Sequence, residues 1–124
     1  MTTTPSLNYY PGFDQTPLYY EAFPAKKQQK GVLIIVHGLG EYTDRYSHVV
    51  DYFNTHYSVY IYDQRGYGRS EGTRAHVDRF NDYVEDLKLF VQMVKKRESG
   101  QKIFILGHSM GGQVLLNYLG QNPR

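Results

Sequence analysis

The 124-residue sequence contains no cysteine, which excludes disulfides, thiolate metal sites and thiol redox switching. Excess charge is also scarce. Fourteen Lys and Arg stand against 12 Asp and Glu, a formal net charge of +2, and the basic residues are scattered. That pattern argues against a nucleic-acid partner. The one basic cluster, Lys26-Lys27-Gln28-Gln29-Lys30, lies between two apolar runs and reads as a solvated turn rather than a membrane-surface patch. Long hydrophobic runs are missing too. The longest, Val32 to Val36, falls far short of the ~20 residues a membrane-crossing helix needs. The start, Met1-Thr2-Thr3-Thr4-Pro5, lacks both the charged beginning and the apolar core of a signal peptide. A cytoplasmic protein is expected, with residues 1–6 flexible. Tryptophan is absent, whereas there are 13 tyrosines. Tyrosine suits half-buried strand and rim positions, so most of these are read as packing residues.

What is present alternates between two kinds of segment. Leu7 to Tyr10 and Leu18 to Phe23 flank the turn signal Pro11-Gly12-Phe13-Asp14 and predict an antiparallel hairpin. Val32 to Val36 is continuous, β-branched and bounded, as expected of a strand buried on both faces of a parallel sheet. Asp44 is placed to cap a helix carrying Tyr46, Val49, Val50 and Phe53 on one face. Val59 to Tyr62 predicts the next strand. Asp78 is placed to cap a longer helix with Phe80, Tyr83, Val84, Leu87, Phe90, Val91 and Val94 aligned. Lys95, Lys96 and Arg97 suit its C-terminal end and Gly100 its termination. Ile103 to Leu106 predicts another fully buried strand, and Val114 to Leu119 a helix closed by Gly120 with Pro123 beyond. This alternation is that of a single α/β domain with a parallel sheet.

Gly107-His108-Ser109-Met110-Gly111 fits the G-x-S-x-G pattern, with a strand before it and a helix after. Such a turn forces the serine into strained geometry and exposes its hydroxyl. The flanking glycines are needed because side chains there would strike the neighbouring strand and helix. Ser109 is therefore the candidate nucleophile. Acyl transfer also requires N–H donors for the tetrahedral oxyanion. Met110 N–H, next to the serine, is one candidate. The loop His37-Gly38-Leu39-Gly40 after the Val32 strand offers Leu39 N–H as the other.

The five histidines read as structural. His108 adjoins the serine but points away from it, His37 ties down its own loop, His76 lies in a loop, and His48 and His56 are ordinary. A rival reading concerns Asp63-Gln64-Arg65-Gly66-Tyr67-Gly68-Arg69-Ser70. Its glycines, with Gly72, suggest a dinucleotide loop. The third glycine is misplaced, however, the helix starts late, and the loop follows the second parallel strand.

With VHGLGEYTDRY at 36–46, YDQRGYGRSEGTRAHVDRFNDYVEDL at 62–87 and GHSMGG at 107–112, the chain resembles the monoacylglycerol lipase and lysophospholipase group of α/β-hydrolases. That group is related to serine-aminopeptidase-like hydrolases. The resemblance implies a mostly parallel sheet with helices on both faces, in which the Val32 and Ile103 strands are neighbours. It implies that the 62–87 segment stabilises the site without catalysing. Tyr42 and Tyr67 replace histidines common in the family, at positions that are not catalytic there. It also implies a serine hydrolase of acyl esters or lipids, with no metal or organic cofactor and with peripheral membrane contact in the complete protein.

In that fold the triad runs serine, acid, histidine. Fifteen residues follow Ser109, and none is Asp, Glu or His. The chain is therefore expected to be the N-terminal part of a hydrolase domain, with later strands, cap and the other triad members beyond Arg124. Such a piece should be nearly inactive alone, with an open apolar edge along the Ile103 strand. The alternative is a non-catalytic hydrolase-fold protein that binds a partner through that edge.

Overall fold

A computed structural model describes residues 8–121. The start expected to be flexible, Leu7 of the first strand and the helix-ending Pro123 lie outside the described residues. The hairpin forms as the turn signal predicts. β1 (Asn8–Pro11) and β2 (Pro17–Phe23) are antiparallel, with Tyr10 opposite Leu18. β3 (Gly31–Val36) and β4 (Tyr57–Tyr62) are parallel, with Ile34 beside Tyr60. β5 (Ile103–Gly107) joins the other side of β3, also parallel, with Val36 beside Gly107. The sheet order is β1-β2-β4-β3-β5.

The side-chain period of a strand explains the continuous apolar run of β3. Val32, Ile34 and Val36 enter one core cluster, whereas Leu33 and Ile35 enter the other. The first cluster lies under α2 (Phe80–Arg97) and α3 (Met110–Gln121); the second lies under α1 (Ser47–Phe53) and the short 3₁₀ turn at Thr43–Tyr46. Helices thus cover both faces. Most of the tyrosines are packing residues, as expected, whereas Tyr9, Tyr42 and Tyr52 are exposed. Phe90 of α2 sits among the rings of Tyr10, Tyr20, Tyr60 and Tyr62 at centroid distances of 5.0, 5.7, 6.4 and 4.6 Å. Burying one such ring contributes about 1.5–3 kcal/mol.

Several expectations need correction. Asp44 caps nothing: it lies inside the 3₁₀ turn. The cap comes from across the fold, where the buried carboxylate of Asp63 accepts the Thr43 N–H at 2.7 Å. Asp78 does not cap α2 either. Arg79 precedes the helix, and Asp78 faces His76 at 3.2 Å. Phe80, at the start of α2, is partly exposed and packs on Tyr83 instead of entering the core. Gly120 lies within α3, which continues to Gln121. β5 is not fully buried. It pairs with β3 alone among the described residues, and Phe104 on it is 48% exposed. Its apolar composition does not distinguish an interior strand from an edge.

The topology positions the site. From β3 the chain crosses to β4 on one side, then returns past β3 to β5 on the other. The connections diverge at the carboxyl ends of β3 and β5, which is where open α/β sheets bind ligands.

Candidate active site

Two residues, His108 and Ser109, separate β5 from α3. Ser109 has φ +56°, the left-handed region that a non-glycine residue occupies at a cost, and its side chain is exposed. The turn is held by backbone bonds on both sides. His108 N–H donates to Val36 O at 3.1 Å, Gly111 N–H to His108 O at 2.9 Å and Gly112 N–H to Ser109 O at 2.9 Å. The flanking glycines are a steric necessity. A β-carbon on Gly107 would lie 2.7 Å from the Gly111 carbonyl oxygen, and one on Gly111 would run into the carbonyl of Val36.

The loop after β3 lies against this turn. A β-carbon on Gly38 would be 3.0 Å from the His108 carbonyl oxygen, so Leu39 is one residue from the contact. The N–H groups of Leu39 and Met110 have no hydrogen-bond acceptor among the described residues. Met110 opens α3, where unpaired N–H groups and the helix dipole favour negative charge.

Glu41 ties the two loops together. Its Oε1 accepts the Gly38 N–H at 2.8 Å and the Tyr46 hydroxyl at 2.5 Å, and faces His108 Nδ1 at 3.3 Å. The Tyr46 hydrogen bond above all holds the Glu41 carboxyl below its ordinary range. Reading the sequence by motif missed this residue, although Glu41 stands within the VHGLGEYTDRY match. His108 accordingly points to Glu41 and not to the serine hydroxyl. No histidine or carboxylate among the described residues is hydrogen-bonded to Ser109.

His37 ties down more than its own loop. Its Nε2 accepts the Gln64 N–H at 2.8 Å, so Nδ1 carries the proton and donates to Gly38 O at 2.7 Å. The Gln64 side-chain amide returns a bond to His37 O at 2.9 Å. Burial pushes the ring's pKa down, so it stays neutral.

The glycine loop after β4 closes on the chain itself. The Asp63 carboxylate accepts the N–H groups of Thr43 and Arg69, and a β-carbon on Gly68 would strike that carboxylate. The place where a dinucleotide phosphate would sit is filled by a carboxylate, whose charge would repel it. Arg65 is bidentate to Asp86, at 2.7 and 3.0 Å, and bonds Asp14 of the hairpin turn at 2.9 and 3.1 Å. Asp86 and Asp14 together hold its guanidinium firmly charged. This segment is a bolt behind the loops. A separate groove of about 1150 Å³ runs along β5 between α2 and α3, lined in part by Val91, Phe104 and Leu119; Ser109 is not among its residues.

Comparison with known proteins places this geometry. Residues 27–124 match the family described as serine aminopeptidase, S33. The chain is 31% identical over 124 residues to a monoacylglycerol lipase of Mycolicibacterium smegmatis, a match covering 99% of this chain and 44% of the relative. It is 34% identical over 119 residues to lysophospholipase L2 of Escherichia coli, covering 92% of this chain and 35% of that protein. Among solved structures, a soluble variant of monoglyceride lipase from Saccharomyces cerevisiae superposes with a TM-score of 0.85 at 31% identity, covering 99% of this chain and 41% of that one. The chain thus spans less than half the length of these relatives. With its sheet order, its serine turn and a family match over most of its length, this chain belongs to the serine aminopeptidase S33 family of α/β-hydrolases.

Proposed function

We propose that Ser109 is the nucleophile of a carboxylic ester hydrolase acting on monoacylglycerol- or lysophospholipid-like esters. The observation that carries the reading is the left-handed backbone of an exposed Ser109 between two glycines that admit no side chain. Strain of that kind persists where surrounding structure enforces it, and it presents a hydroxyl for attack. The substrate class is supported by the lipases and lysophospholipase among the relatives.

In the proposed reaction Ser109 Oγ bonds to the ester carbonyl carbon while a base takes its proton. The carbonyl oxygen becomes an oxyanion held by the N–H groups of Leu39 and Met110. Collapse of the intermediate breaks the bond to the alcohol, which leaves with that proton, and the acyl group stays on Ser109. Water repeats the sequence, releasing the acid and restoring the serine. No described histidine is hydrogen-bonded to Ser109, His108 being turned to Glu41. In this reading the base and its acid partner therefore come from the part of the relatives' length that this chain does not span. Losing a triad histidine costs about a million-fold in turnover, so residues 1–124 alone are nearly inactive. Ester turnover by the 124-residue chain that disappears in Ser109→Ala would overturn this. Peripheral contact with a membrane and a cytoplasmic location belong to the same proposal, tested by fractionating cells that express the full-length product.

A fluorophosphonate probe on the full-length gene product decides the main reading: covalent labelling at Ser109, lost in Ser109→Ala, is expected. The second reading, partner binding along β5, is supported by the free edge and half-exposed Phe104. It expects an unlabelled serine in a folded protein.

A further inference from the structure

We infer that Glu41 is a positioning residue for acyl transfer, holding the loop that carries Leu39 N–H against the turn that carries Ser109. The inference rests on the serine reading above and adds a residue to it.

Three donors from three places converge on one oxygen of Glu41: Gly38 N–H in the loop, the Tyr46 hydroxyl at the end of the 3₁₀ turn, and His108 Nδ1 beside the nucleophile. The Tyr46 ring is 7% exposed and anchored in the smaller core cluster with Val50 and Ile61. The carboxylate therefore has a fixed base and reaches both the loop after β3 and the turn after β5. Gly38 is the residue it grips, and Leu39 follows directly. Gripped at Gly38 N–H, the 37–38 peptide plane loses freedom to rotate. The next plane, which carries Leu39 N–H, is held at its other end, where Gly38 O accepts from His37 Nδ1 at 2.7 Å and from Glu41 N–H at 3.2 Å. Freeing the first plane loosens the second and lets Leu39 N–H swing off the oxyanion position. Charge-assisted hydrogen bonds are the strong ones, and a negative charge lets one oxygen serve all three donors. Glu41 itself does not touch the reacting carbonyl in this scheme. A negative charge at the oxyanion would oppose catalysis, and the carboxylate is already occupied by its own donors.

The consequence is specific to the transition state. Ground-state substrate needs the oxyanion donors little, whereas the tetrahedral oxyanion needs them in place. In the full-length protein, with active enzyme counted by fluorophosphonate labelling, Glu41→Ala is expected to lower kcat about 10- to 100-fold, less than or equal to the loss of one oxyanion donor. KM should stay within about twofold, the signature of an interaction made only in the transition state. Affinity for a trifluoromethyl ketone, which forms an oxyanion on the serine, should fall by the same factor as kcat. Glu41→Gln, whose oxygen can still accept from Gly38, should restore most of both. Tyr46→Phe removes only the anchoring hydroxyl and should give a partial loss in the same two readouts, which decides the matter if the alanine variant fails to fold. Unchanged kcat per labelled serine, or unchanged ketone affinity, in the folded variants would overturn the inference. Wild-type enzyme left unlabelled at Ser109 would overturn the serine reading, and this inference with it.

Discussion

The carbonyl oxygen of Val36, at the end of β3, stands where a β-carbon on Gly111 would have to go, and the same oxygen accepts the His108 N–H. The serine turn is therefore seated directly on the neighbouring strand's backbone, which cannot yield as a flexible side chain can. Gly111→Ala is expected to destabilise the full-length protein by about 3 kcal/mol, the upper end for overpacking. At Gly112 a β-carbon would meet its nearest neighbour at 3.4 Å. Gly112→Ala should therefore be neutral or up to about 1 kcal/mol stabilising, the ordinary effect of replacing a helical glycine. Urea unfolding of the two variants checks the contrast; equal losses would contradict it.

Arg65 holds Asp86 and Asp14 at once, but the two arms differ in worth. The Asp86 side chain is 1% exposed and that of Asp14 44%. Arg65→Ala leaves a carboxylate buried without its partner, a cost of about 3–5 kcal/mol. Asp14→Ala removes a half-exposed arm and should cost at most about 1 kcal/mol. Arg65→Lys should not rescue, because an ammonium cannot form the bidentate pair. Thermal and urea unfolding measure all three, and a lysine variant as stable as the wild type would show that the fork geometry is dispensable.

These elements also show what can be read from sequence and what cannot. β3 and β4 were legible because their burial on both faces writes an unbroken apolar run, and the serine turn because its glycines are dictated by contacts within a few ångströms. The edge position of β5 was not, since Ile103 to Leu106 is as apolar as an interior strand. The cap assigned to Asp78 failed because α2 starts one residue later, after Arg79, and Asp78 faces His76. The cap assigned to Asp44 failed because local spacing cannot show that Asp63, 20 residues away in the chain, already occupies the Thr43 N–H. Glu41 was invisible for the same reason. Its partners Gly38 and Tyr46 are near in sequence, but His108 is 67 residues distant. The backbone turn around Ser109 was legible because its contacts are local, whereas the contacts of Glu41, which depend on the packing of separate turns, were not.

His37 gives stability a pH dependence of known sign. Burial lowers its folded pKa below the ordinary imidazole value of about 6.5. The unfolded chain then takes up the proton first, so stability falls as pH drops through about 6.5 and goes on falling towards the folded pKa. Protonation would also place a hydrogen on Nε2, where the Gln64 N–H now donates. Urea midpoints at about pH 7.5, 6.5 and 5.5 should decline in the wild type and decline less in His37→Gln. Contributions common to both proteins, including that of the buried Asp63, cancel in the difference. Parallel declines would assign the slope elsewhere.

Replacing Ser109 separates its chemistry from its backbone. The residue holds φ +56°, which glycine adopts freely and alanine does not. Both Ser109→Ala and Ser109→Gly remove the hydroxyl, so both should abolish ester turnover and fluorophosphonate labelling. Only the glycine variant relieves the turn, and it should be the more stable of the two by about 1 kcal/mol, the usual cost of a non-glycine residue in this region. The hydroxyl makes no hydrogen bond among the described residues, so its loss carries no compensating penalty in either variant. A nucleophile position at which the inactive glycine protein is the more stable fold is one where stability has been given up for the placement of a reacting atom. If the alanine and glycine variants unfold at the same urea concentration, the left-handed backbone is unstrained and that trade does not exist at Ser109.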